Sequence, residues 1–151
     1  MKIKLFGIGL FLLVVIGCNP KSLPKGQVNY INFSSDVLTV KSTGYAKHKS
    51  DLLRVSKINA VDMVLFRGVA GSSMNKPMIG PNESEIKAKN KSFFEAFYAS
   101  EFENFINNYT VVSEAGKVSA GVYSKTLEVK INTTALRRYL QTNKIIKKFG
   151  L

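Results

Sequence analysis

The sequence has little of the side-chain chemistry on which most enzymes depend. Its 151 residues include one cysteine, one histidine and no tryptophan, and no HExxH, CxxC or GxSxG motif is present. His48 lies between two lysines, and cationic neighbours favour neither a metal ligand nor a general base. The 10 acidic residues show no spacing typical of a catalytic pair. We therefore expect a protein that is not an enzyme and that uses neither a metal nor a cofactor.

The N-terminal apolar run is too short for a comfortable membrane-spanning helix. Leu5 to Ile16 contains no polar side chain, but it falls short of the about 20 residues that such a helix needs. Lys2 and Lys4 precede the run, and this combination of charge and length is typical of a secretory signal peptide.

The single cysteine follows that run. Val15-Ile16-Gly17-Cys18 resembles the lipobox of bacterial lipoproteins, in which the thiol receives a diacylglycerol, the signal is cut before the cysteine, and the new amino group is acylated. The resemblance implies a signal peptide over residues 1–17 and a lipidated Cys18. More than one acyl chain on that residue would give a stable membrane anchor. An ordinary signal peptide with an incidental cysteine, or an uncleaved anchor, is the alternative. Once Cys18 is acylated, no thiol remains for a disulfide, a zinc site or a nucleophile.

By the same resemblance, Asn19 after the cysteine favours the outer membrane, because Asp at that position favours inner-membrane retention in enterobacterial lipoproteins. We therefore expect a lipid-anchored protein of the outer membrane, on its periplasmic side.

Negative charge is scarce. There are 22 basic and 10 acidic residues, a net charge of +12, and removal of residues 1–17 takes away Lys2 and Lys4 and leaves +10. An exported, lipid-anchored protein rarely meets nucleic acid, so we expect no such partner. Anionic head groups, acidic cell-wall polymers or an acidic protein are the candidate ligands, and a solvated basic surface without a dedicated ligand is the alternative.

The pattern of apolar residues predicts the elements of one domain. Residues 18–26 hold two prolines and are expected to be a lipidated tether, followed by a single domain over residues 27–151. Alternation predicts an edge strand near Gln27 to Phe33 and a strand from Asp36 to Ser42, ended by Thr43-Gly44. Helical spacing predicts a helix within residues 45–68 that stops at Gly68, and a long loop over residues 68–82 with a short β segment at residues 77–79.

The second half predicts a second helix, a hairpin and a short last helix. The second helix runs from a capping Asn82 to about Ile106, with an aromatic stripe that is more often core than ligand cage: Phe94, Phe97, Tyr98, Phe102, Phe105 and Ile106. Residues 109–112 and 118–131 form a hairpin joined by residues 114–117, with a bulge near residues 122–124 where the apolar alternation changes phase. The last helix is capped by Asn132 or Thr133 and buries Leu136, Tyr139 and Leu140.

These elements predict an α+β fold: an antiparallel sheet of three to five strands, with two long helices and a short C-terminal helix on one face.

Two surfaces are candidates for partner or anionic-surface contact. Met74 and Met78 lie in the glycine-rich loop, where they either are exposed to a partner protein or fold back over the core. The C-terminus carries a group of cations interleaved with Ile145, Ile146 and Phe149, which either faces anionic groups or is a solvated end with an apolar strip packed on the sheet. These cations are Arg137, Arg138, Lys144, Lys147 and Lys148.

The order of elements resembles small envelope lipoproteins related to the N-terminal domain of the flagellar assembly protein FlgT. The matching stretches are VLTVKSTGYA, KINAVDMVLFRG, KTLEVKIN and ALRRYLQTNKII. The resemblance implies a non-catalytic scaffold or interaction module in an envelope assembly, with a protein partner. A binding protein for an anionic cell-wall or lipid component is the alternative function, and a hydrolase is a weaker one.

Overall fold

A four-stranded antiparallel sheet forms the centre of the protein in the computed structural model, which describes residues 23–147. The strands are β1 (Gln27–Ser34), β2 (Val37–Ala46), β3 (Ile106–Ser119) and β4 (Val122–Asn132). Their order is β1-β2-β4-β3, so β1 and β3 form the two edges. The predicted α+β class and the predicted strand number are confirmed.

Within residues 23–147, four α-helices accompany the sheet: α1 (Leu52–Asp62), α2 (Glu83–Lys89), α3 (Lys91–Ala99) and α4 (Thr133–Thr142). α1 continues into a π-helical turn that ends at Gly68, whose φ of 77° suits glycine. This confirms the predicted stop. The predicted second helix is divided, because Asn90 separates α2 from α3 and a 3₁₀ turn follows Ser100.

The central strands have one apolar face and one polar face. Leu38 and Val40 of β2 alternate with Thr39 and Lys41, and the apolar members are fully buried beneath the helices. β4 has the same alternation in its buried members, which are Leu127, Val129 and Ile131. This period-two pattern is the reason that the strands were predicted from sequence and that the helices lie on one face.

Gly44 does not end β2, contrary to the prediction, because the strand continues to Ala46. A Cβ on Gly44 would lie 2.6 Å from Ser56 Oγ and 2.7 Å from the Ser56 backbone nitrogen. Ser42 Oγ donates to the Ser56 carbonyl at 2.7 Å, and Ser56 Oγ donates to the Lys125 carbonyl at 3.0 Å. Glycine is therefore needed here for the close approach of α1 to the sheet.

The aromatic stripe forms the core, as predicted. Phe97 has no exposed surface, and Phe94, Phe102 and Phe105 are also buried. The Phe97 ring centroid lies 6.1 Å from that of Phe105 and 6.2 Å from that of Tyr139 on α4. These contacts join α3, the 3₁₀ turn and α4 in one cluster.

The β3–β4 hairpin turns at residues 120–121, and the predicted turn over residues 114–117 is wrong. Gly121 has a φ of 70°, and Ser119 pairs with Val122. The apolar alternation changes phase at Val122 because the chain reverses just before it. β4 pairs without interruption with β2 from Tyr123 onwards, whereas the register shifts lie in the pairing of β3.

Side-chain capping follows the prediction at one helix and not at the other. Asn132 Oδ1 accepts the Ala135 backbone N–H at 2.9 Å, which confirms the cap of α4. Asn82 makes no side-chain cap. Residues 77–79 do not form a β segment, since the Met78 and Ile79 nitrogens donate to the Val64 and Leu65 carbonyls, each at 2.9 Å.

Candidate functional site

The loop methionines are not exposed as a contact surface. Met78 is 8% exposed and packs in the core, so of the two alternatives for this residue the structure has the one in which the loop folds back over the core. Met74 is partly buried against the same core. Two backbone hydrogen bonds hold the loop against the core. The Val69 nitrogen donates to the Met74 carbonyl at 2.7 Å, and the Met78 nitrogen donates to the carbonyl of Val64 in the π-helical turn. Cys18 and Lys148 lie outside the described residues.

The described C-terminal cations lie along α4 and just after it. Arg138, Lys144 and Lys147 are exposed, and Arg137 is half-buried. The apolar strip between the lysines, Ile145 and Ile146, packs against the core. This arrangement matches the alternative of a solvated end with a packed apolar strip. A groove of about 440 Å³ borders the same segment.

A buried polar group at the end of α1 was not predicted as a site. Asp62 is 8% exposed and accepts a hydrogen bond from Tyr98 Oη on α3. Lys87 Nζ on α2 lies 3.6 Å from Asp62 Oδ2 and 2.7 Å from Glu83 Oε1. We call Asp62, Glu83, Lys87 and Tyr98 the Asp62 cluster. It borders a largely apolar groove of about 320 Å³ next to Phe94.

The electrostatics of the Asp62 cluster follow from its burial. Burial raises the pKa of Asp62, against the lowering effects of the Tyr98 hydrogen bond and the Lys87 charge. Burial, followed by the charge and the hydrogen bond of Asp62, raises the pKa of Tyr98, so the phenol stays protonated and donates. The Lys87 ammonium also lies 4.4 Å from the Tyr98 ring centroid and 5.1 Å from that of Phe66.

This arrangement is suited to holding helices together. A carboxyl with a raised pKa beside a phenol and an ammonium is a combination found in acid–base sites. Here, however, each Asp62 oxygen faces a group on another helix, Oδ1 towards Tyr98 and Oδ2 towards Lys87. The cluster therefore clamps α1, α2 and α3 together. Its sequence signal is an aspartate between the apolar residues Val61 and Met63.

A basic surface lies at the end of the sheet where β3 turns into β4. Ala46, Tyr123 and Lys117 are neighbours in one row across β2, β4 and β3. Lys49 Nζ lies 5.2 Å from the Tyr123 ring centroid, and Lys47 directly follows Ala46. We call Lys47, Lys49, Lys117, Val118 and Tyr123 the hairpin end. Its three lysines are exposed, and Val118 is 52% exposed.

An exposed apolar surface also lies along β3. Within residues 23–147 no strand pairs with the outer side of β3, which is 14 residues long. Tyr109, Val111 and Val112 are 38%, 37% and 50% exposed, and we call these three residues the β3 edge surface. Lys57 Nζ lies 4.2 Å from the Tyr109 ring centroid and 2.7 Å from Glu103 Oε2.

Comparison of the chain with protein-family models, with curated proteins and with solved structures finds no match. Among the described residues, no helix is both long and apolar enough to cross a membrane. In the same part of the chain, no three or more His, Cys, Asp or Glu side chains are grouped so as to hold a metal ion.

Proposed function

We propose that this chain is a lipid-anchored lipoprotein of the bacterial envelope whose domain is a non-catalytic scaffold or interaction module. The anchor is supported by the sequence, in which the lone Cys18 directly follows the apolar run that ends at Ile16 and Gly17. By this proposal, acyl chains on Cys18 hold the domain on the periplasmic side of the outer membrane.

The proposal of an interaction module rests on the position of β3 at the edge of the sheet. An edge strand presents backbone N–H and C=O groups that can pair with an extended segment of another protein. β3 is long, and Val111 and Val112 beside its backbone are exposed. Such a surface suits a partner that adds a strand with apolar side chains. The register shifts near Val112 and Gly116 limit regular pairing to short stretches.

A second candidate, a binding protein for an anionic cell-wall or lipid component, is favoured by the three exposed lysines of the hairpin end. Retention of the purified protein on isolated cell wall or lipid, abolished by salt and combined with no stable protein partner in cells, would favour this candidate. Stable protein partners after crosslinking in cells would favour the scaffold.

The anchor is tested by metabolic labelling with a clickable palmitate. We expect label in the wild-type protein and none in Cys18→Ser, which should also leave the membrane fraction. Asn19→Ser is the matched control and should keep both the label and the membrane association. An unlabelled wild-type protein would refute the anchor.

The interaction surface is tested with a photo-crosslinking amino acid at Val112 in living cells. Lys130 is the matched control, because it is exposed on the central strand β4. We expect a discrete protein adduct from Val112 and none from Lys130, and the substitution Val111→Lys should reduce that adduct. Equal adducts at both positions, or none at Val112, would contradict the assignment of β3.

A further inference from the structure

We infer that the hairpin end is the face of the domain that docks on anionic phospholipid, and that it orients the domain on its membrane. This inference rests on the proposed lipid anchor at Cys18. It assigns membrane contact to Lys47, Lys49 and Lys117 rather than to the C-terminal cations.

The position of the tether is the first argument. Gln27, the first residue of β1, pairs with Thr43, and Thr43 pairs with Thr126. On the side of this row away from the β1–β2 turn, β2, β3 and β4 continue for a few residues to the hairpin end, whereas β1 begins only at the row itself. The chain therefore enters the sheet from the side of the hairpin end, with Lys25 exposed just before β1.

The length of the tether is the second argument. Cys18 and Leu23 are separated by five Cα–Cα steps, which span at most about 18 Å when the chain is fully extended. Acyl chains on Cys18 therefore keep Leu23 within about 18 Å of the lipid head groups. Leu23 is four residues before Gln27, so the short tether favours orientations in which the end of the sheet that β1 enters faces the bilayer.

Charge and apolarity are the third argument. The exposed ammonium groups of Lys47, Lys49 and Lys117 surround the end of the sheet, and the exposed Val118 lies beside them at the turn. Lysines next to an anionic surface are attracted to it, while an aliphatic side chain enters the interfacial layer.

One of the two acidic groups at this end is paired with a cation. Glu114 accepts from Lys125 Nζ at 2.8 Å, whereas Asp51 accepts from the neutral Ser50 Oγ at 3.2 Å, which does not offset its charge. The three lysines of the hairpin end outnumber Asp51, so the net charge of this surface is positive.

The C-terminal cations lie elsewhere in the fold. α4 begins directly after β4, beside the β1–β2 turn, where Thr133 Oγ1 donates to the Asp36 carbonyl at 2.9 Å. This turn is at the end of the sheet opposite to the hairpin end. Lys130, at that side of β4, and Lys147 are thus suitable reference lysines.

The test uses the purified lipidated protein reconstituted into vesicles that contain phosphatidylglycerol or only phosphatidylcholine. A water-soluble amine reagent labels the lysines, and mass spectrometry measures each rate. We expect labelling of Lys47, Lys49 and Lys117, and of Lys25 just before β1, to slow about fivefold or more on the anionic vesicles, since each lysine near such a surface favours docking by about that factor. Lys130 and Lys147 should be unaffected. In about 1 M salt the protection should disappear, because the Debye length falls to about 3 Å.

A pair of charge-matched variants provides the control. Lys47→Gln/Lys49→Gln/Lys117→Gln should abolish the lipid-dependent protection of Lys25, whereas a triple Lys→Gln variant at residues 130, 144 and 147 should retain it. A second readout does not depend on lysine chemistry. An environment-sensitive fluorophore on Val118→Cys should shift to the blue on anionic vesicles only.

The outcomes distinguish a failure of the anchor from a failure of the docking face. The same mass spectra report whether Cys18 carries acyl chains, and an unmodified Cys18 refutes the anchor together with this inference. A lipidated Cys18 with equal labelling on both vesicle types overturns the docking face alone. Protection of Lys147 instead of Lys117 overturns it in favour of the C-terminal surface.

Discussion

Replacing Gly44 by alanine tests whether α1 depends on the bare backbone of β2. The added Cβ would lie 2.6 Å from Ser56 Oγ, 2.7 Å from the Ser56 nitrogen and 3.0 Å from its Cα. Two of these three atoms belong to the backbone of α1, so a change of rotamer cannot remove the clash. The helix has to move away from the sheet.

The expected cost combines two effects. Overpacking of a well-packed site costs about 1–3 kcal/mol. Movement of α1 also weakens the hydrogen bonds that Ser42 and Ser56 make across this contact, each of which contributes about 1 kcal/mol. We therefore expect Gly44→Ala to lower the free energy of unfolding by about 2–4 kcal/mol.

Urea unfolding followed by far-UV circular dichroism measures this loss, with the slope of the transition expected to stay unchanged. Gly116→Ala is the matched control, because it also lies in a strand and its added Cβ would meet no atom closer than 4.0 Å. That control should change stability by less than about 0.5 kcal/mol. If Gly44→Ala is as stable as Gly116→Ala, the proposed role of Gly44 is refuted. Full rescue by Ser56→Ala would show that the hydroxyl alone makes the clash.

Three further predictions concern stability in the same assay. Phe97→Ala should cost about 3–5 kcal/mol because Phe97 is fully buried, and Phe93→Ala, at a partly buried ring, should cost clearly less; equal losses would argue against Phe97 as the centre of the core. Lys144 has a φ of 57° after α4, so Lys144→Gly should raise stability by up to about 1 kcal/mol, whereas Lys147→Gly should not. The folded-state pKa of Asp62 is raised above 3.8, so the folded state favours the protonated carboxyl. The stability gained from this protonation is fully present below the unfolded-state pKa and is lost as pH rises through the folded-state pKa. The stability of the wild type relative to Asp62→Asn should therefore fall as pH rises from about 4, and a pH-independent difference would contradict the raised pKa.

Features that depend on neighbours in sequence were predictable. The alternation of Leu38 and Val40 with polar residues, the aromatic spacing around Phe97 and the Asn132 cap each involve groups a few positions apart. Gly44 shows the limit of such local signals. A glycine that ends a strand and a glycine that allows a helix to approach look the same in sequence, and the helix residue concerned, Ser56, is 12 positions away.

The Asp62 cluster and the hairpin end, neither of which was predicted, depend on long-range contacts. The Asp62 cluster joins α1, α2 and α3, and Tyr98 is 36 positions from Asp62. The hairpin end joins Lys47 and Lys117 only through the pairing of β2 and β3 with β4. The composition indicates a basic surface, but which lysines meet is decided by strand order. The loop methionines could be either exposed or buried, and hydrogen bonds to the π-helical turn decided between the two.

The strand order also has a consequence for the sequence of folding events. The central strands pair across a wide separation, as shown by Thr43 and Thr126, whose hydroxyl oxygens lie 2.9 Å apart although 83 positions separate them. The β1–β2 and β3–β4 hairpins are local and can form early, whereas the middle of the sheet closes only once β4 has been synthesised and can pair with β2. The helix-covered core on these two strands is therefore completed only when the final third of the chain is available.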